Sequence, residues 1–219
     1  MKRAMILVMV IALTAFTLCG CSSVLESVLG GNKYEKLSGT WHAVITDSPE
    51  EARGFLEAID AYEEEIAAAD LYSLKYAKTV QFTQDKNYSY AFDTQETIAC
   101  VREFLDGYFN DLYDARATLN AAYGEDFTNM SKYDFFAFYA ELYGYSYYEE
   151  MLDDMSATIY DYEELEELGR EIGSYTIEGN YIVCTIAGTT TPEKMEYSLE
   201  GDTLTLTYVD AVEVYQRVG

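Results

Sequence analysis

One histidine, four cysteines and 39 acidic residues are the groups in this 219-residue chain from which reactive chemistry could be built. A Ser-His-Asp or Cys-His nucleophilic pair would have to use His42, since the chain has no other imidazole. His42 follows Trp41 in a strand-like run, where neighbouring side chains face opposite ways. With Trp41 inward, His42 is expected to point outward as a surface residue. A glycosidase needs two carboxylates about 5–9 Å apart. Among 39 acids some pair always meets that condition, so it selects nothing. An acid–base enzyme is expected only if a cleft holds a strongly shifted carboxylate beside a second one. Asp153-Asp154 and Glu163, Glu164, Glu166 and Glu167 read as solvated helix faces. The spacings of a calcium loop, a P-loop and a dinucleotide fingerprint are absent, and the cysteines with one histidine make no zinc set. The reading is therefore no catalytic residue, no metal and no cofactor.

Cys100 and Cys184 could pair in an oxidising compartment if their Cα atoms lie within about 7 Å. The alternative is two small apolar side chains in a core. Aromatic residues are a stronger signal, with 22 tyrosines and ten phenylalanines. Residues 133–148 hold nine of them, from Tyr133 to Tyr148. Helical spacing assigns about half of this block to packing. Tyr145 and Tyr147 fall at a loop and are the candidates for exposure and ligand contact, because tyrosine joins an apolar face to a hydroxyl.

Charge excludes partners. The formal net charge is −25, and without Lys2 and Arg3 the remaining 12 basic residues face 39 acidic ones, a balance of −27. Such a surface repels phosphate backbones and offers no basic patch to anionic lipid, so nucleic acid is not a partner.

The elements that would position these residues come in two kinds. Gly39 to Thr46, Lys78 to Thr83 and Asn87 to Phe92 alternate as strands, the last with Tyr88, Tyr90 and Phe92 on one face. Five more runs follow: Ile172 to Ile177, Tyr181 to Ile186, Glu196 to Leu199, Thr203 to Tyr208 and Val212 to Val218. Glu178-Gly179-Asn180 and Glu200-Gly201-Asp202 read as tight turns between them. Between the strands lie helical stripes. Ser48-Pro49-Glu50-Glu51 is a capping box, after which Ala52, Phe55, Ile59, Tyr62, Ile66 and Ala69 make one apolar stripe. A helix over 94–123, with a bend near Gly107, and helices opening at Ser131 and Ser146 fill an insertion at about 93–171. The fold class is α+β: an antiparallel eight-stranded barrel or sheet carrying a helical insertion of about eighty residues.

The first 21 residues read MKRAMILVMVIALTAFTLCGC. Lys2 and Arg3 precede an uncharged apolar run from Ala4 to Leu18, the layout of a secretory signal and short of the roughly 20 residues of a spanning helix. Leu18-Cys19-Gly20-Cys21 resembles the lipobox of bacterial lipoproteins. The resemblance implies removal of residues 1–20 and a diacylglycerol on the Cys21 sulfur, with residues 21–37 as a tether. It places the protein on the extracytoplasmic face of the cell membrane.

Gly39-Thr40-Trp41 resembles the G-x-W that opens the first strand of lipocalins, and Arg217 matches the arginine that packs over that tryptophan. The resemblance implies a closed barrel over 38–219 with Trp41 and Arg217 at its floor. The chain departs from the family in lacking a T-D-Y-like motif and in its large helical insertion. The alternative is a separate helical domain beside an antiparallel sheet. The functional expectation is a lipoprotein binding an apolar or aromatic small ligand, with Trp41, Tyr88, Tyr90, Tyr145 and Tyr147 as candidate contacts. The alternative is a structural or protein-interaction module of the envelope.

Overall fold

The computed structural model describes residues 33–124, 126–158, 162, 170–209 and 211–218. The signal segment, Cys21 and most of the acidic run after Tyr160 lie outside them. Eight strands, β1 (Gly39–Thr46), β2 (Lys75–Phe82), β3 (Asn87–Phe92), β4 (Glu171–Glu178), β5 (Tyr181–Ile186), β6 (Glu193–Glu200), β7 (Thr203–Thr207) and β8 (Val212–Val218), form a closed barrel. Each strand pairs antiparallel with the next, and β8 returns to β1 with Trp41 opposite Arg217. The architecture is α+β and lipocalin-like. Closure excludes a free-standing sheet beside a separate helical domain.

The floor is built where the sequence placed it. Trp41 is fully buried and donates its indole N–H to the Leu37 carbonyl at 2.8 Å. The Arg217 guanidinium lies 4.0 Å from the indole ring and donates to the carbonyls of Ser38 (2.6 Å) and Lys36 (2.5 Å). A cation on an aromatic face contributes about 0.5–2 kcal/mol, more when desolvated. The expected tether ends sooner than residue 37, because α1 (Lys33–Leu37) is a helical turn docked under the barrel. Leu37 is fully buried, and the Tyr34 hydroxyl accepts from the Ile177 amide at 3.1 Å. Phe82, Tyr175, Leu204 and Tyr215 fill the lumen above Trp41.

Between β1 and β2 stand α2 (Pro49–Ala58) and α3 (Glu63–Ile66); between β3 and β4 stand α4 (Thr94–Asp114), α5 (Arg116–Tyr123), α6 (Lys132–Leu142) and α7 (Tyr148–Thr158). The capping box at Ser48 forms as read, with Ser48 Oγ accepting from Glu51 N and Glu51 Oε2 from Ser48 N. These helices have their own core, including Phe55, Phe104, Leu105, Phe109, Phe135 and Tyr139. They join the barrel where Thr97 Oγ1 accepts the Ala77 amide at 3.0 Å, and Ala77, outward on β2, is fully buried beneath them.

Two helices break where the apolar stripe is continuous. Asp60 takes a positive φ of 61° and ends the turn after α2. The chain restarts at α3, where Glu65 accepts the Tyr62 amide at 2.8 Å. Glu65 is fully buried and also accepts the hydroxyls of Tyr139 (2.7 Å) and Tyr123. The bend expected at Gly107 falls instead at Ala115, where the Arg116 guanidinium folds back onto the Tyr113 carbonyl at 2.8 Å and satisfies an acceptor at the helix end.

Gly39 tests the floor geometry. Its φ is +139°, and a Cβ there would lie 2.5 Å from Arg217 Nη1. Gly39→Ala should lower stability by about 2–3 kcal/mol, from backbone strain plus displacement of the arginine. Gly54→Ala, in α2 with nothing within 4 Å of its Cβ, should be neutral or stabilising by up to about 1 kcal/mol. Urea midpoints of the two variants should therefore move apart; equal shifts would refute the steric account.

Candidate functional site

The barrel is filled at its floor and hollow toward its open end. Inward positions alternate, so the partners Lys78 and Phe92, Val80 and Tyr90, and Phe82 and Tyr88 share one face of β2 and β3. Toward the open end this face borders an inner cavity of about 240 Å³, lined among others by Lys78, Tyr88, Tyr90, Glu171, Cys184 and Glu213. Lys78 and Glu213 are both buried and form an ion pair, and Glu213 also accepts the Tyr215 hydroxyl at 2.6 Å. Leaving either charge alone there would be costly, so the pair is neutralised in place. Burial, then Glu193, raise the Glu171 carboxyl, while the Tyr88 hydroxyl and Lys78 draw it back. Burial, then Glu193 and Glu171, push the Cys184 thiol up to about 12. It is a protonated, inert side chain at neutral pH.

A larger cavity of about 530 Å³ lies between α2, α4 and the barrel rim. Phe55, Leu74, Tyr76, Phe92 and Val101 supply apolar wall, and Asp47 and Glu51 supply carboxyls. Phe92 meets Tyr76 edge-on at 5.6 Å and Tyr90 at 6.0 Å between ring centroids. Tyr90 lines the inner cavity and the other two rings the outer one, so this aromatic trio stands between them.

Asp47 ends the β1 segment, and Glu51 is brought back to it by the first turn of α2. Both carboxylates accept the Ser48 amide, at 3.0 and 3.3 Å. Burial, then the hydrogen-bonded and charged Glu51, raise Asp47 to about 7. Hydrogen bonds from Asp47 and Ser48 hold Glu51 below the ordinary carboxylate range. Two carboxylates this close do not both ionise easily, so the proton is favoured on Asp47 and the charge on Glu51. This is the arrangement in a cleft that an acid–base reaction would require. No histidine or cysteine is among the cavity's described lining residues, so among these the pair can hold or release a proton without a thiolate or imidazole nucleophile beside it.

The structure gathers some of the expected residues and separates others. Tyr88 and Tyr90 line the inner cavity together with Leu206. Trp41 lines neither cavity; it is the floor. Tyr145 and Tyr147 belong to the insertion, where Tyr145 donates to Asp154 at 2.7 Å and Tyr147 is 61% exposed. Most of the aromatic block is packing, with Phe135 and Tyr139 fully buried. Cys100 and Cys184 are free thiols, so the disulfide option is corrected: Cys184 points into the barrel and Cys100 sits on α4. His42 points outward on β1 but is not the free surface residue expected, because the start of α4 covers it, with Nε2 2.8 Å from Glu96 Oε2. Among the described residues His42, Asp93 and Glu96 form one group of metal-ligating types. Asp93 already caps the Glu96 amide at 3.1 Å, and the trio fixes α4 to β1. Of the Asp47–Glu51 pair only Glu51 was legible, as part of the capping box, since nothing local shows that Asp47 joins it or that a cavity forms beside them.

No protein-family profile, curated protein or solved structure matches the chain.

Asp47 makes a pH-dependent prediction. Its folded-state value lies above the ordinary 3.8, so its contribution to stability is full below that value and is lost as pH rises through about 7. Asp47→Asn mimics the protonated acid and keeps the acceptor for Ser48. The variant should match the parent at about pH 3 and exceed it in thermal midpoint at about pH 8. A gain that is constant with pH would contradict a raised Asp47.

Proposed function

We propose that the protein is a membrane-anchored, extracytoplasmic lipoprotein that binds an apolar or aromatic small molecule in the cavity between the helical insertion and the barrel rim. The cavity carries the reading. Its volume of about 530 Å³ falls within the roughly 300–1,000 Å³ of small-molecule sites, which are mostly apolar with a few placed polar groups. Phe55, Leu74, Phe92 and Val101 supply the first; Asp47, Glu51 and Thr97 supply the second. The insertion, a departure from plain barrels, provides one wall of this cavity.

The anchor rests on the Leu18-Cys19-Gly20-Cys21 sequence. Several acyl chains on one cysteine hold firmly where a single chain does not. No helix among the described residues is long and apolar enough to cross a membrane.

A second reading, an envelope interaction module, draws on exposed tyrosines of the insertion and its surroundings: Tyr72 is 71% exposed and Tyr133 81%. An envelope protein would then be the partner, with no small ligand.

Two measurements test the first reading. The neutral fluorophore N-phenyl-naphthylamine should bind with one-to-one saturation. Gly54→Phe should weaken it at least about tenfold, about 1.4 kcal/mol, because Gly54 lines the cavity and its Cβ direction is open. Unchanged affinity would move the ligand elsewhere, and absence of binding by the parent would favour the interaction module. Cys21→Ser should abolish fatty-acid labelling and block processing in cells; persistent labelling would remove the anchor.

A further inference from the structure

The inner cavity differs in chemistry from the outer one. Three carboxylates, Glu171, Glu193 and Glu213, and one ammonium, Lys78, are among its lining groups. Lys78 and Glu213 cancel each other as a buried pair. Among the described residues, Glu171 and Glu193 make no ion pair, and Glu171 faces the Tyr88 hydroxyl, which draws its carboxyl back down. The lining is therefore left with two carboxylates in no ion pair, Glu171 partly buried and Glu193 at the exposed rim.

A second observation points to an occupant. Tyr88 is 5% exposed and lines the cavity, and its buried hydroxyl faces Glu171 without making a hydrogen bond of full geometry to any described group. It is held there by close packing: Gly173, its partner across β3 and β4, has no room for a Cβ, which would fall 2.7 Å from the Tyr88 ring and 2.1 Å from the Thr185 carbonyl oxygen. A buried, unpaired hydroxyl costs about 1–3 kcal/mol unless something bonds to it. The Tyr90 ring already faces a cation, with Lys78 Nζ 5.1 Å from its centroid, and Tyr208 adds another ring to the wall.

Each alternative occupant fits worse. An apolar molecule would strip water from Glu171 without replacing it. An anion would meet two like charges. A hard metal ion needs several oxygens converging on one point, and among the described residues the groups close enough to do so are His42, Asp93 and Glu96, outside the barrel. At about 240 Å³ the space is below that of drug-sized ligands.

We propose that the open half of the barrel binds a small organic amine, its ammonium group held by Glu171 and Glu193 with the Tyr88 hydroxyl, and its body against the rings of Tyr90 and Tyr208. The charged head replaces the missing counter-ion, and the aromatic faces accept the adjoining carbons. Glu193 is exposed at the rim, where a strongly acidic protein surface raises the local concentration of cations.

Calorimetry with phenethylamine and its neutral counterpart phenethyl alcohol tests this on the whole protein. The amine should bind at least tenfold tighter than the alcohol. Glu171→Gln, which keeps shape and removes charge, should erase most of that preference, and Tyr88→Phe should weaken the amine several-fold. Gly54→Phe, which fills the outer cavity, should leave the amine unaffected, so failure here is separable from failure of the outer site. Equal affinity for amine and alcohol in the parent overturns the proposal. So does amine binding that survives Glu171→Gln or is lost in Gly54→Phe.

Discussion

The Arg217 guanidinium lying on the Trp41 indole closes the ring of strands, and the rest of the molecule depends on that closure. The two residues are direct partners across the β1–β8 seam, 176 positions apart in the chain. Ordering so distant a contact is costly in chain entropy, so the seam has to be strongly favoured. It is held by more than the backbone ladder: the arginine ties α1 to β8 through the carbonyls of Lys36 and Ser38, and the indole ties α1 to β1 through Leu37. Gly39 is required because the guanidinium occupies the space of a side chain.

Closure at the floor determines what is possible at the other end. A barrel with an edge would have to satisfy its open strand by pairing elsewhere; a closed one can afford an unfilled mouth. Here the lower lumen is packed by Trp41, Phe82, Tyr175 and Tyr215, while the upper lumen carries Lys78, Glu171 and Glu213. Charges placed inside a barrel are tolerated only where they pair or reach water. The insertion lies at that same end, anchored by Thr97 on Ala77. Its core is separate from the barrel's, so the outer cavity forms between two independently packed bodies.

Strand identity was legible because alternation is local. Leu204 and Leu206 are buried, and Thr203, Thr205 and Thr207 are only partly so, as their pattern requires. β6 begins three residues earlier than its pattern, since Glu193 and Lys194 carry no apolar signal. Ala77 was invisible as a buried outward residue, because its cover comes from a helix twenty positions later. The break at Asp60 was hidden for a related reason: the apolar stripe continues through it, and a single positive φ leaves no mark in hydrophobic spacing. Glu65 read as one acid among 39; only the fold brings Tyr123 and Tyr139 to it. Candidate site residues followed the same rule. Tyr88 and Tyr90 share a strand face and were found together, whereas Glu171, Glu213 and Lys78 meet only through the barrel's long-range register.

The most direct test of this account is native-state amide hydrogen exchange at the β1–β8 seam, read at Thr40 and His42 and at Gln216 and Val218, whose amides alternate with the Arg217 amide that turns to Asp202. A closed barrel predicts that these amides exchange as slowly as those of the central β4–β5 pair, through global unfolding. Rapid exchange at the seam, while β4 and β5 stay protected, would mean that the barrel is an open sheet and would contradict the account.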